Sequence, residues 1–376
     1  MMRQGALGGH VSQADRVAMS GRRLAEVRKT LASLERRPGV FVVTSPENRR
    51  YLTGFSGSNG TVVVTADKTI FVTDFRYLDQ AALECPGWEI VRQGTVMADT
   101  VAEVITRLGE EKVGFERELA TFSFYEDLST RLKGYEMVPV GPIVERVREV
   151  KEDGEIDLIR KAAAVTDRAL GEAIHLIRPG IQEADVALEI EYHMRKQGAD
   201  AAAFPSIVAS GQRSAMPHGR ASDKLLAAGD FVTIDCGATV NGYVSDLTRT
   251  FVISPVSEEQ RKVYDLVFEA QASSLAAVKA GRTGKEVDAV ARDIITAAGH
   301  GGNFGHGLGH SLGLAVHEAP RLAPTNDRPL AAGNVVTVEP GVYVTGWGGV
   351  RIEDLVVVRG DGCEVLSKFP KQLMIL

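Results

Sequence analysis

Cysteine is scarce in this chain, with three in 376 residues. Cys85, Cys236 and Cys363 lack the spacing of a metal site and form no evident disulfide framework, which points to a reducing, cytoplasmic setting. Long apolar runs are missing too. No stretch approaches the roughly 20 residues that cross a bilayer, so no membrane partner is expected. The opening Met1-Met2-Arg3-Gln4-Gly5 has a charge but no apolar core behind it, unlike a secretory signal. Positive charge is not in excess: the net charge of −6 disfavours nucleic acid as a partner. The glycine-rich stretch from Gly54 to Gly60 lacks the Gly-Lys-Ser/Thr of a phosphate loop, and reads as a connection or a cleft lip. What is present is a globular composition, 44% hydrophobic and 24% charged, long enough for two domains with cores of their own.

Residues 1–18 read as a loose lead-in. Residues 19–145 then alternate between helical and strand patterns, as in an α/β domain with a mixed sheet. A helix is expected over Gly21–Arg37, a strand at Phe41–Val43, and a helix opened by Ser45 as cap with Pro46 at its first position. Strands at Thr61–Thr65 and Thr69–Thr73, a helix after Arg76, a strand at Glu89–Arg92, a helix at Met97–Leu108, a strand at Lys112–Phe115 and a helix at Phe122–Leu132 follow. The run from Val140-Gly141-Pro142 to Asp153-Gly154, rich in Gly, Pro and charge, reads as a linker. Residues 146–376 form the second domain. Its order is helix (Ile156 to Ile177), helix (Glu183–Gln197), hairpin, helix (Ser257–Lys279), helix (Gly284–Ala298), hairpin. That order suggests an α+β domain with helices on one face of a curved antiparallel sheet and an internal pseudo-two-fold repeat.

The repeat is explicit. Leu226-Ala227-Ala228-Gly229-Asp230-Phe231-Val232-Thr233-Ile234-Asp235 returns at a constant offset of 104, between Leu226 and Leu330, as Leu330-Ala331-Ala332-Gly333-Asn334-Val335-Val336-Thr337-Val338-Glu339. Each copy runs from a turn through a short β-rich stretch to a carboxylate. A second acid follows each, Asp246 in one and Glu353 in the other. The Asn241-Gly242 dipeptide is a strong hairpin signal; turning there, Val240 faces Tyr243 and Asp235 faces Thr248. Asp235 and Asp246 then become diagonal neighbours on one face. A turn through Gly346-Trp347-Gly348-Gly349 brings Glu339 toward Glu353 in the same way. Ordinary strand-ending acids would account for one copy. Two copies favour a site, and four converging carboxylates require cations.

Four of the eight histidines lie between His300 and His317, where Phe304-Gly305-His306-Gly307-Leu308-Gly309-His310-Ser311 is too glycine-rich for a helix interior and reads as a loop or edge strand. His310 is expected as a metal ligand beside the carboxylates. His218, His306 and His317 are better suited to acid–base or hydrogen-bonding work. His10, His175, His193 and His300 read as structural.

These residues resemble the dinuclear metallopeptidases of the pita-bread fold, the group of methionine aminopeptidase, aminopeptidase P and prolidase. Asp235, Asp246, His310, Glu339 and Glu353 stand in that family's order. Ser245-Asp246-Leu247-Thr248-Arg249-Thr250, Gly305-His306-Gly307-Leu308-Gly309-His310, Val316-His317-Glu318-Ala319-Pro320 and Val338-Glu339-Pro340-Gly341 look like its proline-specific branch. The resemblance implies a creatinase-like N-terminal domain followed by a pita-bread catalytic domain. It implies two divalent ions, Mn²⁺ with Co²⁺ or Zn²⁺ as alternatives, with Asp235 on one ion, His310 on the other with Glu339, and Asp246 and Glu353 bridging. Glu339 would also take a proton from the attacking water, and His218 and His317 would steady substrate and intermediate. His306 and Arg351 resemble further residues of the substrate pocket, and Tyr243 and Phe204 are candidates for its walls. The expected activity is removal of the N-terminal residue from peptides with proline second, by a homodimer. Xaa-Pro dipeptidase (prolidase) is the alternative, with methionine aminopeptidase and a non-enzymatic binding module behind it.

Overall fold

A computed structural model describes Gln13–Leu376. Residues 1–12, which include His10 and most of the expected lead-in, lie outside the described residues. The described chain separates into two compact units, divided between Arg148 and Glu149.

The first unit is built on a six-stranded mixed sheet. Its strands, in spatial order, are Glu89–Arg92, Thr69–Thr73, Thr61–Val64, Val40–Val43, Lys112–Glu116 and Glu136–Val140. Val40–Val43 is buried along its whole length, as befits an inner strand paired antiparallel on one side and parallel on the other. Among the described residues the first helix covers Gln13–Ala32, extending N-terminal to the expected Gly21. Ser45 caps the helix Pro46–Thr53 by accepting from the Asn48 amide, and Gly54 ends it at φ 79°, where a side chain would be strained. Two elements differ from expectation. Glu136–Val140 is an edge strand, and the expected linker contains the helix Ile143–Glu149, which starts just after Gly141-Pro142 and buries Ile143 and Val144. Pro before a first turn is compatible with a helix, so the Gly-Pro pair starts this one rather than marking irregular chain.

The second unit repeats helix–helix–sheet. Helices Asp153–Ala173 and Glu183–Lys196 precede the strands Ile207–Ser210, Phe231–Cys236 and Leu247–Val252. Helices Glu258–Ala277 and Gly284–Ala297 precede a five-stranded sheet ordered Glu318–Leu322, Gly309–Ser311, Val335–Val338, Asp354–Val358, Cys363–Val365. Alternation along the strands sorts the faces. Val232, Ile234 and Cys236 join the apolar cluster under the first helix pair, and Val336 and Val338 join that under the second. Thr233, Asp235 and Thr337 turn the other way. Each Val or Ile so buried contributes about 1.5–3 kcal/mol, and a one-residue slip would drive the acids into the apolar layer. Register is thus fixed by the helical side of the sheet.

The Asn-Gly turn forms with φ of 47° and 78° at Asn241 and Gly242, and pairs Val240 with Tyr243 and Asp235 with Thr248. The second hairpin, Gly341–Val344 with Gly348–Arg351, turns through Thr345-Gly346-Trp347, slightly earlier than expected. The glycine-rich histidine segment also departs from expectation. Gly309–Ser311 is neither loop nor edge but an inner strand. A Cβ on Gly309 would lie 2.0 Å from the Thr337 carbonyl oxygen, so glycine is what lets the strand come this close. Gly309→Ala is expected to destabilise the protein by about 1–3 kcal/mol through overpacking, read as a lower denaturant midpoint. An unchanged midpoint would contradict this close approach.

Candidate metal centre and cleft

The five expected ligands arrive from strand ends and one inner strand. Asp235 lies near the end of Phe231–Cys236, Asp246 just before Leu247–Val252, His310 within Gly309–Ser311, Glu339 just after Val335–Val338, and Glu353 just before Asp354–Val358. One donor atom each from Asp246, His310 and Glu353 lies within 4.8 Å of the others, and all three residues are buried. His310 Nε2 is 3.4 Å from Glu339 Oε1 and 3.7 Å from Asp246 Oδ2. Asp235 completes the group from the side of Arg351, whose guanidinium donates to Asp235 Oδ2 at 2.7 Å.

Two observations bear on whether these residues suit a cation. Asp235 Oδ1 and Glu353 Oε1 are buried with no hydrogen-bond partner, an expensive condition for anionic oxygens. Second, His310 Nδ1 lies 3.1 Å from the Ser311 carbonyl. A carbonyl only accepts, so Nδ1 carries the proton and Nε2 turns its lone pair toward Asp246 and Glu339. Burial lowers the His310 pKa, which keeps that lone pair free. Burial, followed by the charges of Glu353, Asp235 and Glu339, pushes Asp246 well above the carboxylate range. Burial, then Glu339 and Asp235, does the same to Glu353. Glu339 is raised mainly by burial, against the opposing pull of His306 and Arg351. Four carboxylates with only Arg351 to balance them, beside one neutral imidazole, fit a hard or borderline divalent ion.

Arg351 and Thr248 tie the two hairpins together. Arg351 Nε donates to Thr248 Oγ1 at 3.0 Å, and Thr248 Oγ1 donates to Glu353 Oε2 at 2.7 Å. Arg351 also reaches the Pro217 carbonyl at 3.2 Å and the Tyr343 hydroxyl at 2.9 Å. Tyr343 in turn meets His306 Nε2 at 2.9 Å, while His306 Nδ1 is 2.8 Å from the Gly307 carbonyl. Burial lowers the His306 pKa and pushes the Tyr343 hydroxyl up to about 12. Both groups are therefore neutral near pH 7.

A cleft of about 990 Å³ opens over the acids, walled by Phe204, His218, His306, His317, Arg321 and Tyr343 among others. The rings of His317 and His310 are 4.4 Å apart. Partial burial, then its neighbours His310, Arg321 and His218, push the His317 imidazole down to about 4. Tyr243 is not part of this wall. Its side chain packs with Ile156 and Ile159, and its hydroxyl donates to Glu155 at 2.8 Å. Tyr343, on the first strand of the second hairpin, is the cleft tyrosine, and sequence reasoning missed it. The available signal was Gly341, two residues away on the same strand face, where a Cβ would come within 2.5 Å of the Tyr343 hydroxyl. Thr248 and Arg321 were missed as well; Arg321 is visible only once its strand is paired opposite His310. His193 and His300 make local bonds, to Glu189 and Asn303.

With this geometry in view, comparison with known proteins is direct. The pattern of metallopeptidase family M24 matches residues 157–360, and that of the creatinase/prolidase N-terminal domain matches residues 23–150. An Xaa-Pro dipeptidase of Pyrococcus furiosus is 38% identical over 89% of this chain and 94% of its own. Two solved structures are similar as well. An Xaa-Pro dipeptidase from Bacillus anthracis has 42% identity and a TM-score of 0.92, covering 95% of this chain and 100% of the other. An X-Pro aminopeptidase from Thermotoga maritima has 38% identity and a TM-score of 0.85, covering 90% and 98%. The chain belongs to metallopeptidase family M24, with a creatinase-like N-terminal domain before a pita-bread catalytic domain. No helix among the described residues is long and apolar enough to cross a membrane.

If Asp246 is a shared ligand, Asp246→Ala loses at least one ion per chain. Elemental analysis of the purified variant reads this directly, and metal content equal to the parent's would remove Asp246 from the ligand set.

Proposed function

We propose that this metallopeptidase cleaves the bond before proline, and that its preferred substrates are Xaa-Pro dipeptides. The observation that carries the dipeptide reading is Arg321. A dipeptidase must recognise a free carboxylate one residue beyond the scissile bond, and an arginine fork suits that group. Arg321 lines the cleft opposite His310, and its guanidinium makes no hydrogen bond or ion pair among the described residues. The names of the Pyrococcus and Bacillus relatives support the same reading. The second reading, an aminopeptidase acting on longer peptides with proline second, is the one favoured by sequence, and the Thermotoga relative's name supports it.

In this reading Asp235, Asp246, His310, Glu339 and Glu353 hold two divalent ions, Mn²⁺ by preference and Co²⁺ or Zn²⁺ in its stead. Divalent ions, when bound there, supply Lewis acidity and make water acidic enough to attack near neutral pH. The chain's own groups do the rest. Glu339, with Oε1 held by the Thr337 hydroxyl at 3.0 Å, accepts the proton of the attacking water. His317, neutral at working pH, donates a hydrogen bond to the developing tetrahedral oxygen. His218 orients the substrate, and Phe204 packs against the proline ring. Arg351 keeps Asp235 and Tyr343 in place. In this reading the chain works as a homodimer in a reducing cytoplasm, and its three cysteines form no disulfide.

Hydrolysis of Xaa-Pro dipeptides against Xaa-Pro tripeptides separates the two readings. A kcat/KM at least tenfold higher for the dipeptide is expected. Arg321→Met should erase that preference by raising KM for the dipeptide alone. Equal or better cleavage of the tripeptide by the parent would establish the aminopeptidase instead. His317→Ala should keep both metals and lower kcat by roughly a hundred- to ten-thousandfold. Parent-like turnover in that variant would sink the assigned role.

A further inference from the structure

Two buried carboxylates outside the metal centre each hold a loop that brings a histidine to the cleft. Glu183 is fully buried at the start of the helix Glu183–Lys196, the second helix of its half. It accepts from the Ser210 amide and hydroxyl, both at 2.8 Å, and from the Ser222 amide and hydroxyl at 3.2 and 2.7 Å. Those contacts pin both ends of the segment that contains His218. Arg213 pairs with Glu183 as well, and its other nitrogen donates to the Arg220 carbonyl at 2.7 Å, two residues from His218.

Asp288 does the same in the other half. It is buried in the first turns of Gly284–Ala297, again the second helix of its half. It accepts from the Leu308 amide at 2.9 Å and from Arg292 at 2.7 and 2.8 Å. Arg292 donates to the Phe304 carbonyl at 3.0 Å and the His306 carbonyl at 2.8 Å, and stacks over the Phe304 ring at 4.5 Å. His306 lies between the pinned points.

The pattern is the same twice: a buried acid on an equivalent helix, an arginine it orients, and backbone groups on either side of a cleft histidine. Glu183 and Asp288 also stand at nearly the offset of the repeated strand phrase. We propose that Glu183 and Asp288 are matching positioning residues, one per half, that aim His218 and His306 into the cleft. The proposal rests on the peptidase reading above for what the two histidines serve. Neither acid touches the metal ligands, so each works only through its loop. Loops without such anchors would let the rings wander, and an ångström of misplacement costs on the order of a hundredfold in rate.

Glu183→Gln and Asp288→Asn keep the side-chain shape and remove acceptor strength. In the metal-loaded full chain each is expected to lower kcat/KM for an Xaa-Pro dipeptide by roughly ten- to a hundredfold, with metal content unchanged. Double variants separate aiming from general support. Glu183→Gln in a His218→Ala background, and Asp288→Asn in a His306→Ala background, should each cost no more than about twofold further. Full additivity would overturn the proposal. Ring resonances of His218 and His306 in zinc-loaded protein read the geometry even without turnover. They should shift or broaden in the matching variant, and unchanged resonances would also overturn it. A parent inactive on every Xaa-Pro peptide would refute the functional reading, leaving the resonances to decide the positioning. Should either acid variant fail to fold, Arg213→Lys and Arg292→Lys, at partly exposed sites, carry the same comparisons.

Discussion

Crowded negative charge in a dry place governs the catalytic unit. Two like charges 4 Å apart repel by about 4 kcal/mol at the effective dielectric of a protein site, and a whole domain is stable by only about 5–15 kcal/mol. Asp235, Asp246, Glu339 and Glu353 could not all stay ionised together without relief. Arg351 provides part of it permanently, from within 2.7 Å of Asp235. Protonation of the most buried acids, or bound divalent ions, must provide the remainder. The apolar backs of the same strands, packed against the helix pairs, are what hold the acids together against this repulsion.

The two halves do not contribute alike. The first hairpin brings Asp235 and Asp246, and the second brings Glu353 and the arginine that balances Asp235. Arg351 and Thr248 therefore work as a seam across the pseudo-two-fold axis. Glu353 reaches its partner Thr248 only because that seam closes. Folding of either half alone would leave a carboxylate buried without its counter-group.

Much of this was legible in the sequence, for identifiable reasons. The Asn241-Gly242 turn fixed the register of its hairpin, because only residues tolerant of positive φ suit that turn. Ser45-Pro46 marked a helix start, and the repeated phrase revealed both carboxylate strands. Other features were hidden because they depend on partners far along the chain. Gly309–Ser311 became an inner strand through its neighbour Thr337, and its glycines had argued against regular structure. The resemblance made Tyr243 a candidate for the cleft wall without revealing that its hydroxyl is taken by Glu155. Arg321 gained significance only from pairing across from His310. Helix Ile143–Glu149 looked like linker because its Gly-Pro start and many charges outweigh two buried apolar residues.

The hydrogen bonds from Arg351 through Tyr343 to His306 have a direction. Arginine can only donate, so the tyrosine oxygen accepts from it and its proton points onward to His306 Nε2. The opposite ring nitrogen spends its own proton on the Gly307 carbonyl. Every link runs one way, because the guanidinium cannot accept and Nδ1 needs its proton for the Gly307 carbonyl, which leaves Nε2 of the neutral ring as the acceptor. His306 is thus saturated on both nitrogens and cannot shuttle protons to a peptide. It presents a flat, uncharged panel to the cleft, stiffened from behind.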